Sequence, residues 1–307
     1  MNLDHFGMDT ITMAGALEGK LRAARDAGFS QIMISSRDLV EHPLGEAAAV
    51  KAIHESGLRV TAFQVLRDFE GLSGHLHNYR VDVAKAMLTM CKAVGSKTLL
   101  LVSSTSSHAS GERSVLVRDL RKLATLAVPL GIRIAYEPLS WAKHVGDYAV
   151  AWEVIEEADR SNLGLVLDSF QILATETDLA VLEYIYPEKL FLVQLADFLT
   201  QEIASSEERM QTGRHSRVFP GDGVHSTELV EIIHLLDGME YAGDYSLEVF
   251  NDEYRQLSPS LVAQRALQSV KWITSHMSRR TLPRLRRAAA AGEQHDLFPH
   301  DIDPRKP

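Results

Sequence analysis

Eight short apolar runs alternate with stretches of helical periodicity, and no other property of this 307-residue chain restricts its fold as much. The runs are FGMDTITM, QIMISS, RVTAFQV, KTLLLVSS, RIAYEP, LGLVLD, LFLVQLA and DYSLEVF. Their length and their content of Val, Ile and Leu read as buried strands. Between them lie ALEGKLRAARDAGF, GEAAAVKAIHESG, YRVDVAKAMLTMCKAVG, ERSVLVRDLRKLATLAVPLG, YAVAWEVIEEAD, DLAVLEYIYP and TELVEIIHLLDG, with SLVAQRALQSVKWITSHM after the last run. Regular alternation predicts parallel strands joined by helices. Eight repeats predict an α/β fold, the (β/α)8 TIM barrel, with its working face at the strands' C-terminal ends. A doubly wound open sheet is the rival, but it places its ligand at one topological switch point. No internal linker divides the chain, so residues 1–278 are expected to form one barrel domain, and the compositional shift into SRRTLPRLRRAAAAGEQHDLFPHDIDPRKP marks 279–307 as a C-terminal tail. The longest loop, from about Asp197 to Val224, has the length of a lid or substrate clamp.

Composition narrows the function. The net charge of −9, with no basic stripe in the body of the chain, argues against nucleic acid. Cys91 is the only cysteine, which excludes an intrachain disulfide and a sulfur-rich zinc site. No basic-then-apolar leader and no bilayer-length apolar stretch are visible, so a cytoplasmic protein is expected.

Four strands end in a polar residue: Glu137 in RIAYE, Asp168 in LGLVLD, Gln194 in LFLVQ and Glu248 in YSLEVF. A charge at the end of a buried strand is costly unless it is paired or binds a metal. Three carboxylates and an amide oxygen suit one hard divalent cation, Mg2+ or Mn2+, with Co2+ as a substitute. Helix capping or pairing with arginine is the competing explanation for each residue taken singly. His144 follows Glu137 in YEPLSWAKHV, beside Trp141 and Lys143, where it could act as general acid or base. Arg67 in LRDFEG could fork onto a substrate carboxylate, or be held by its neighbour Asp68. Arg214, His215 and Arg217 form a cationic group beside a PGDG turn. That turn lacks the following Lys-Ser/Thr of a phosphate loop, no G-x-S-x-G elbow is present, and Glu156 and Glu157 fall on a solvated helix face.

Across about residues 6–275 the chain resembles the xylose-isomerase-like superfamily of divalent-metal barrels, which holds sugar phosphate isomerases and epimerases. RDFEGL, WAKHV, RVFPGDG and SLEVFND are similar, more narrowly, to the 3-dehydroshikimate dehydratase group. The resemblance implies that Glu137, Asp168, Gln194 and Glu248 bind the metal. It places His144 near the substrate with Arg67 and Arg217 on its carboxylate or hydroxyls, beside Trp141 and His215. The implied reaction is dehydration of 3-dehydroshikimate to protocatechuate through a metal-stabilised enolate, with Glu248, His144 and Gln171 as the catalytic set. At Gln171 the family pattern carries a histidine; an amide can orient a hydroxyl or water but cannot exchange protons. Asp222 and the pair Ser35–Ser36 also depart from the pattern. Two alternatives stand beside the lyase: an isomerase or epimerase of a sugar- or inositol-type ketone, and a catalytically silent barrel that binds a metal or metabolite. The expected partner is a small polyhydroxy ketone, without nucleic acid or membrane, and a homo-oligomer is left open.

Overall fold

The computed structural model describes residues 3–277. Eight parallel strands close on themselves: β1 (Phe6–Asp9), β2 (Gln31–Ser35), β3 (Arg59–Leu66), β4 (Thr98–Val102), β5 (Arg133–Glu137), β6 (Leu163–Asp168), β7 (Leu190–Leu195) and β8 (Tyr245–Leu247). β8 pairs back onto β1, with Gly7 beside Ser246 and Met8 beside Leu247, which rules out the open sheet. The expected tail, 279–307, lies outside the described residues.

The principal helices follow their strands in turn: α1 (Leu17–Asp26), α3 (Glu46–Glu55), α4 (Gly74–Ala93), α5 (Arg113–Ala127), α6 (Tyr148–Ala158), α9 (Ser226–Gly238) and α10 (Pro259–Met277). Three short helices sit at the C-terminal mouth: α2 (Ser36–Val40), α7 (Ser169–Thr175) and α8 (Ser206–His215). These correct the expected pattern in two places. DLAVLEYIYP is not an α-helix but a 3-10 segment, Leu179–Tyr184. The helix of that repeat is α7, which starts directly off β6 because the Asp168 side chain accepts from the Phe170 N–H and caps it. The stretch from Asp197 to Val224 is likewise no open loop. Ser205 and Glu208 form a reciprocal capping box that starts α8. No described helix is long and apolar enough to cross a membrane.

Two cores flank the sheet. The larger fills the space between strands and helices; the smaller packs the barrel interior with Met33, Ala62, Leu100, Ala135, Val166, Phe191 and Leu192. The apolar interior stops short of the strands' C-terminal ends. There the register sets Asp168 beside Gln194, and Glu137 beside Val102, so one polar layer forms the barrel's upper floor.

Candidate metal centre

Glu137, Asp168 and Glu248 each offer a carboxylate oxygen to one point, all within 4.8 Å of one another, and all three side chains are buried. Gln194 completes the group from β7. It is fully buried, yet neither its Oε1 nor its Nε2 has a hydrogen-bond partner among the described residues. A native protein rarely leaves a buried amide unsatisfied, because each unmade bond costs about 1–3 kcal/mol. The orphaned amide and the converging carboxylates form an oxygen donor set that fits a hard divalent cation.

The electrostatics agree. Burial, followed by the charges of Glu248 and Asp168, holds the Glu137 carboxyl well above its usual range. Burial also pushes Glu248 up to about 7, against the opposing pull of Arg217. Arg217 is the buried cation of the group: its Nη1 donates to Asp168 Oδ2 at 2.8 Å and Glu248 Oε2 at 3.2 Å, and its Nε donates to the Gly213 carbonyl at 2.8 Å. The guanidinium lies 4.4 Å from the Phe170 ring centroid and 5.3 Å from that of Phe250. Burial opposes its charge, but Asp168, Glu248 and Glu137 outweigh this and raise it above its ordinary value. One guanidinium against three carboxylates leaves an excess of negative charge, which a divalent ion would neutralise.

The cationic group expected of Arg214, His215 and Arg217 is taken apart by the fold. α8 ends at His215, whose Nδ1 meets Asp252 Oδ2 at 2.9 Å on the surface, while Arg214 lies 5.8 Å from the Trp141 ring. Bridges from Ser216 to Asn251 and from Asp197 to Val218 then turn Arg217 inward. The neighbouring turn is tight: Asp222 N–H bonds to the Phe219 carbonyl, and Gly221 holds φ +94°, where a Cβ would meet the Trp272 ring.

Arg67 and Asp68 do not pair. Asp68 accepts from Thr105 N–H at 2.9 Å, from the Ser104 and Thr105 hydroxyls, and from Arg80. The loop after β3 is thereby pinned to the loop after β4, and among the described residues Arg67 has no ion pair, though it lies in the electrostatic reach of Arg214, Glu137, Glu248 and Asp68. His144 is not in hydrogen-bond contact with the acidic group: its Nε2 meets the Ala109 carbonyl at 2.9 Å. Trp141 is half-buried against Phe170, and Arg209 holds the preceding Ser140 carbonyl at 2.9 Å. Close approach at this corner requires Gly213, since a Cβ there would lie 2.7 Å from Trp141 and 2.8 Å from Phe170.

Gln171 Oε1 accepts from Ser140 N–H at 2.8 Å, which turns Nε2 toward Glu137, where its polarity favours the charged carboxylate without a hydrogen bond of ordinary geometry. Glu156 and Glu157 are exposed, as read from the helix pattern, and Glu157 pairs with Arg113. Ser35 caps α2.

Three polar residues of the site went unread in the sequence. Asp9 ends β1 as Glu137 and Asp168 end theirs, but FGMDTITM looks continuous; the Asp9 side chain stops the strand by capping a 3-10 turn. Gln64 sits inside β3 and donates from Nε2 to Asp9 Oδ2. Glu70, in RDFEGL, accepts from Tyr136 OH at 3.0 Å and Ser104 N–H at 2.5 Å, and burial pushes it up to about 7.

A family model described as xylose isomerase-like TIM barrel matches residues 21–276. The chain is 32% identical over 278 residues to a 3-dehydroshikimate dehydratase of Pseudomonas aeruginosa, covering 89% of this chain and 43% of that protein. It therefore spans less than half the length of this relative. Among solved structures, a xylose isomerase-like TIM barrel/4-hydroxyphenylpyruvate dioxygenase fusion protein superposes with a TM-score of 0.82 at 31% identity, covering 88% of this chain and 42% of that one. The IOLI protein with a bound zinc atom superposes at 0.75 and 23% identity, covering 88% and 98%, a likeness of fold.

Proposed function

The chain belongs to the xylose isomerase-like TIM barrel family, and from that premise we propose that it is a divalent-metal-dependent lyase. Its substrate is a cyclic polyhydroxy ketone, 3-dehydroshikimate in the leading reading, and its product protocatechuate. The observation that carries the reading is the buried set of Glu137, Asp168 and Glu248 with the unsatisfied amide of Gln194. The name of the Pseudomonas relative supports the substrate, and the zinc in the IOLI structure supports a divalent metal.

Glu137, Asp168, Glu248 and Gln194 would hold Mg2+, Mn2+ or Co2+. Such an ion supplies Lewis-acid stabilisation to an oxyanion that develops beside it. The protein's own groups do the rest. The guanidinium of Arg67, without an ion pair among the described residues, binds the ring carboxylate by a charge-assisted fork. Glu248, gripped by Arg217, takes the proton from the carbon next to the ketone. Gln171 offers an N–H, because Ser140 occupies its oxygen, and so orients a substrate oxygen without exchanging a proton. His144 lies on the loop after β5, and acting as the acid that assists hydroxide departure would require its Nε2 to leave Ala109. Trp141 closes one wall. Arg217, buried among the carboxylates, positions them and leaves substrate binding to Arg67.

The test is direct. Purified protein with Mn2+, Mg2+ or Co2+ receives 3-dehydroshikimate while protocatechuate absorbance is followed. Formation of protocatechuate that EDTA abolishes is the expected result. Absence of product with all three metals refutes the dehydratase reading, and turnover of a sugar or inositol-type ketone instead assigns an isomerase.

A further inference from the structure

The barrel has a second opening, at the strands' N-terminal ends. There the strand starts surround a cavity of about 720 Å3, lined by Arg59, Thr61, Lys97, Thr98, Arg133 and Asp244 among others. Barrel interiors are ordinarily filled by layers of bulky branched side chains, whereas pockets for small ligands have volumes of this order. Arg133 and Glu137 are the first and last residues of β5, with Ala135 of the apolar layer between them. About 13 Å of strand therefore separates this cavity from the carboxylates of the metal centre.

The walls carry three cations against one carboxylate, an excess of two positive charges on a chain of net charge −9. Arg59 and Asp244 cancel: Nη1 donates to Oδ2 at 2.9 Å and Nη2 to Oδ1 at 2.5 Å, and Nη2 also meets Oε1 of the buried Gln31. Lys97 and Arg133 have no ion pair among the described residues. They are neighbours, because the Arg133 N–H donates to the Lys97 carbonyl at 2.9 Å. The Arg133 side chain is fixed by neutral partners: Nε donates to Thr98 Oγ1 at 2.8 Å, Nη2 reaches the Phe191 carbonyl at 3.4 Å, and the guanidinium lies 4.6 Å from the Phe191 ring centroid. Gly164 makes room for that ring, since a Cβ there would lie 2.8 Å from it. Nη1 is left with no partner among the described residues. Burial pushes the guanidinium below its ordinary value, which a bound anion would offset.

From this geometry we propose that the lower mouth of the barrel binds the phosphate group of a small phosphomonoester between Lys97 and Arg133. A dianion matches the two cations that no carboxylate of the cavity neutralises. A guanidinium already held flat against a ring presents its remaining N–H groups to phosphate oxygens at little further entropic cost. The cavity exceeds what a phosphate ion alone would fill, which leaves room for the carbon body of the ester. The site is independent of the metal reading, and its test runs without metal.

Calorimetry is run at constant ionic strength on metal-free protein, prepared over a chelating resin so that no polyanionic chelator competes. Glycerol 3-phosphate, inorganic phosphate and acetate are given to wild type, Lys97→Met, Arg133→Met and Arg67→Met, with thermal melts as the folding control. We expect saturable binding of glycerol 3-phosphate to the wild type, and acetate to bind about 10-fold or more weakly. Loss of one charged donor should weaken the ester by about 10-fold or more in Lys97→Met and in Arg133→Met, while Arg67→Met, altered at the opposite mouth, binds as the wild type does. No saturable binding to the wild type overturns the proposal. So does wild-type affinity in both lower-mouth variants, or a loss confined to Arg67→Met, because the ester then sits elsewhere. Acetate bound as tightly as the ester, or inorganic phosphate bound more than about 10-fold tighter than the ester, overturns the assigned ligand. If Arg133→Met does not fold, Lys97→Met decides, because Lys97 is exposed and its ammonium has no ion pair among the described residues.

Discussion

Replacing Arg217 by methionine should destabilise the metal-free protein and make it unusually dependent on a divalent cation. Arg217 is 2% exposed and is the buried partner of both Asp168 and Glu248. Methionine fills much of the volume but leaves three converging carboxyl groups with no cation among them. Removing one side of a buried ion pair typically costs about 3–5 kcal/mol. At about 2 °C per kcal/mol for a domain of this size, the melting temperature in EDTA should fall by about 6–10 °C. A cation at a hundred times its dissociation constant returns about 2.7 kcal/mol to any folded protein that binds it. In the variant the return should exceed that of the wild type at equal Mn2+, because the site no longer holds a competing positive charge. The assay is a set of melts of both proteins in EDTA and across a Mn2+ series. A variant whose loss is the same with and without Mn2+ would show that Arg217 does not compete with a cation for these carboxylates, and the electrostatic argument would fail.

Glu248→Gln should abolish metal-dependent turnover while the protein still folds; an unchanged rate removes Glu248 from the ligand set. Glu70, pushed up to about 7 by burial, binds a proton more tightly folded than unfolded, so its contribution to stability is complete below the unfolded value near 4.5 and is lost as pH rises to about 7. Denaturant unfolding in EDTA should therefore weaken from pH 5 to pH 8 by up to the order of 3 kcal/mol, and Glu70→Gln should remove that share of the slope; an unaltered slope refutes the assignment. Gln171→His should add a titrating group near neutrality, seen as a new limb in the pH profile of kcat for 3-dehydroshikimate. A profile of unchanged shape would show that position 171 takes no part in proton transfer.

The strands, their order and the four ring residues were legible because each depends on local apolar patterning broken by one polar residue. Gln194 is the sharpest instance: a lone amide closes the apolar run LFLVQ, and the fold buries it with neither side-chain atom hydrogen-bonded among the described residues. What stayed hidden depends on side chains that reach across the sheet. Arg217 looked like part of a surface cluster with Arg214 and His215, because sequence adjacency cannot show that a helix end and two strand-like bridges turn one of the three inward. Asp9 was masked by the apolar residues after its own cap, and Gln64 reads as a chance polar residue until the fold sets it against Asp9. Asp68 looked like a counter-ion for Arg67, yet backbone N–H groups and hydroxyls of the next loop claim it first.

The pairing of β8 with β1 carries a consequence for how the protein is made. Thr12 Oγ1 accepts from the Val249 N–H, a bond between residues 237 apart. The acidic cluster likewise needs Glu248 to meet Glu137 and Asp168 from far earlier in the chain. During synthesis most of the barrel leaves the ribosome before the strand that completes the cluster does. Until that strand arrives, β1 and β7 each expose an unpaired edge, and no cation can be held with full strength. Fragments ending before Tyr245 should therefore aggregate and bind divalent ions more poorly than the whole chain.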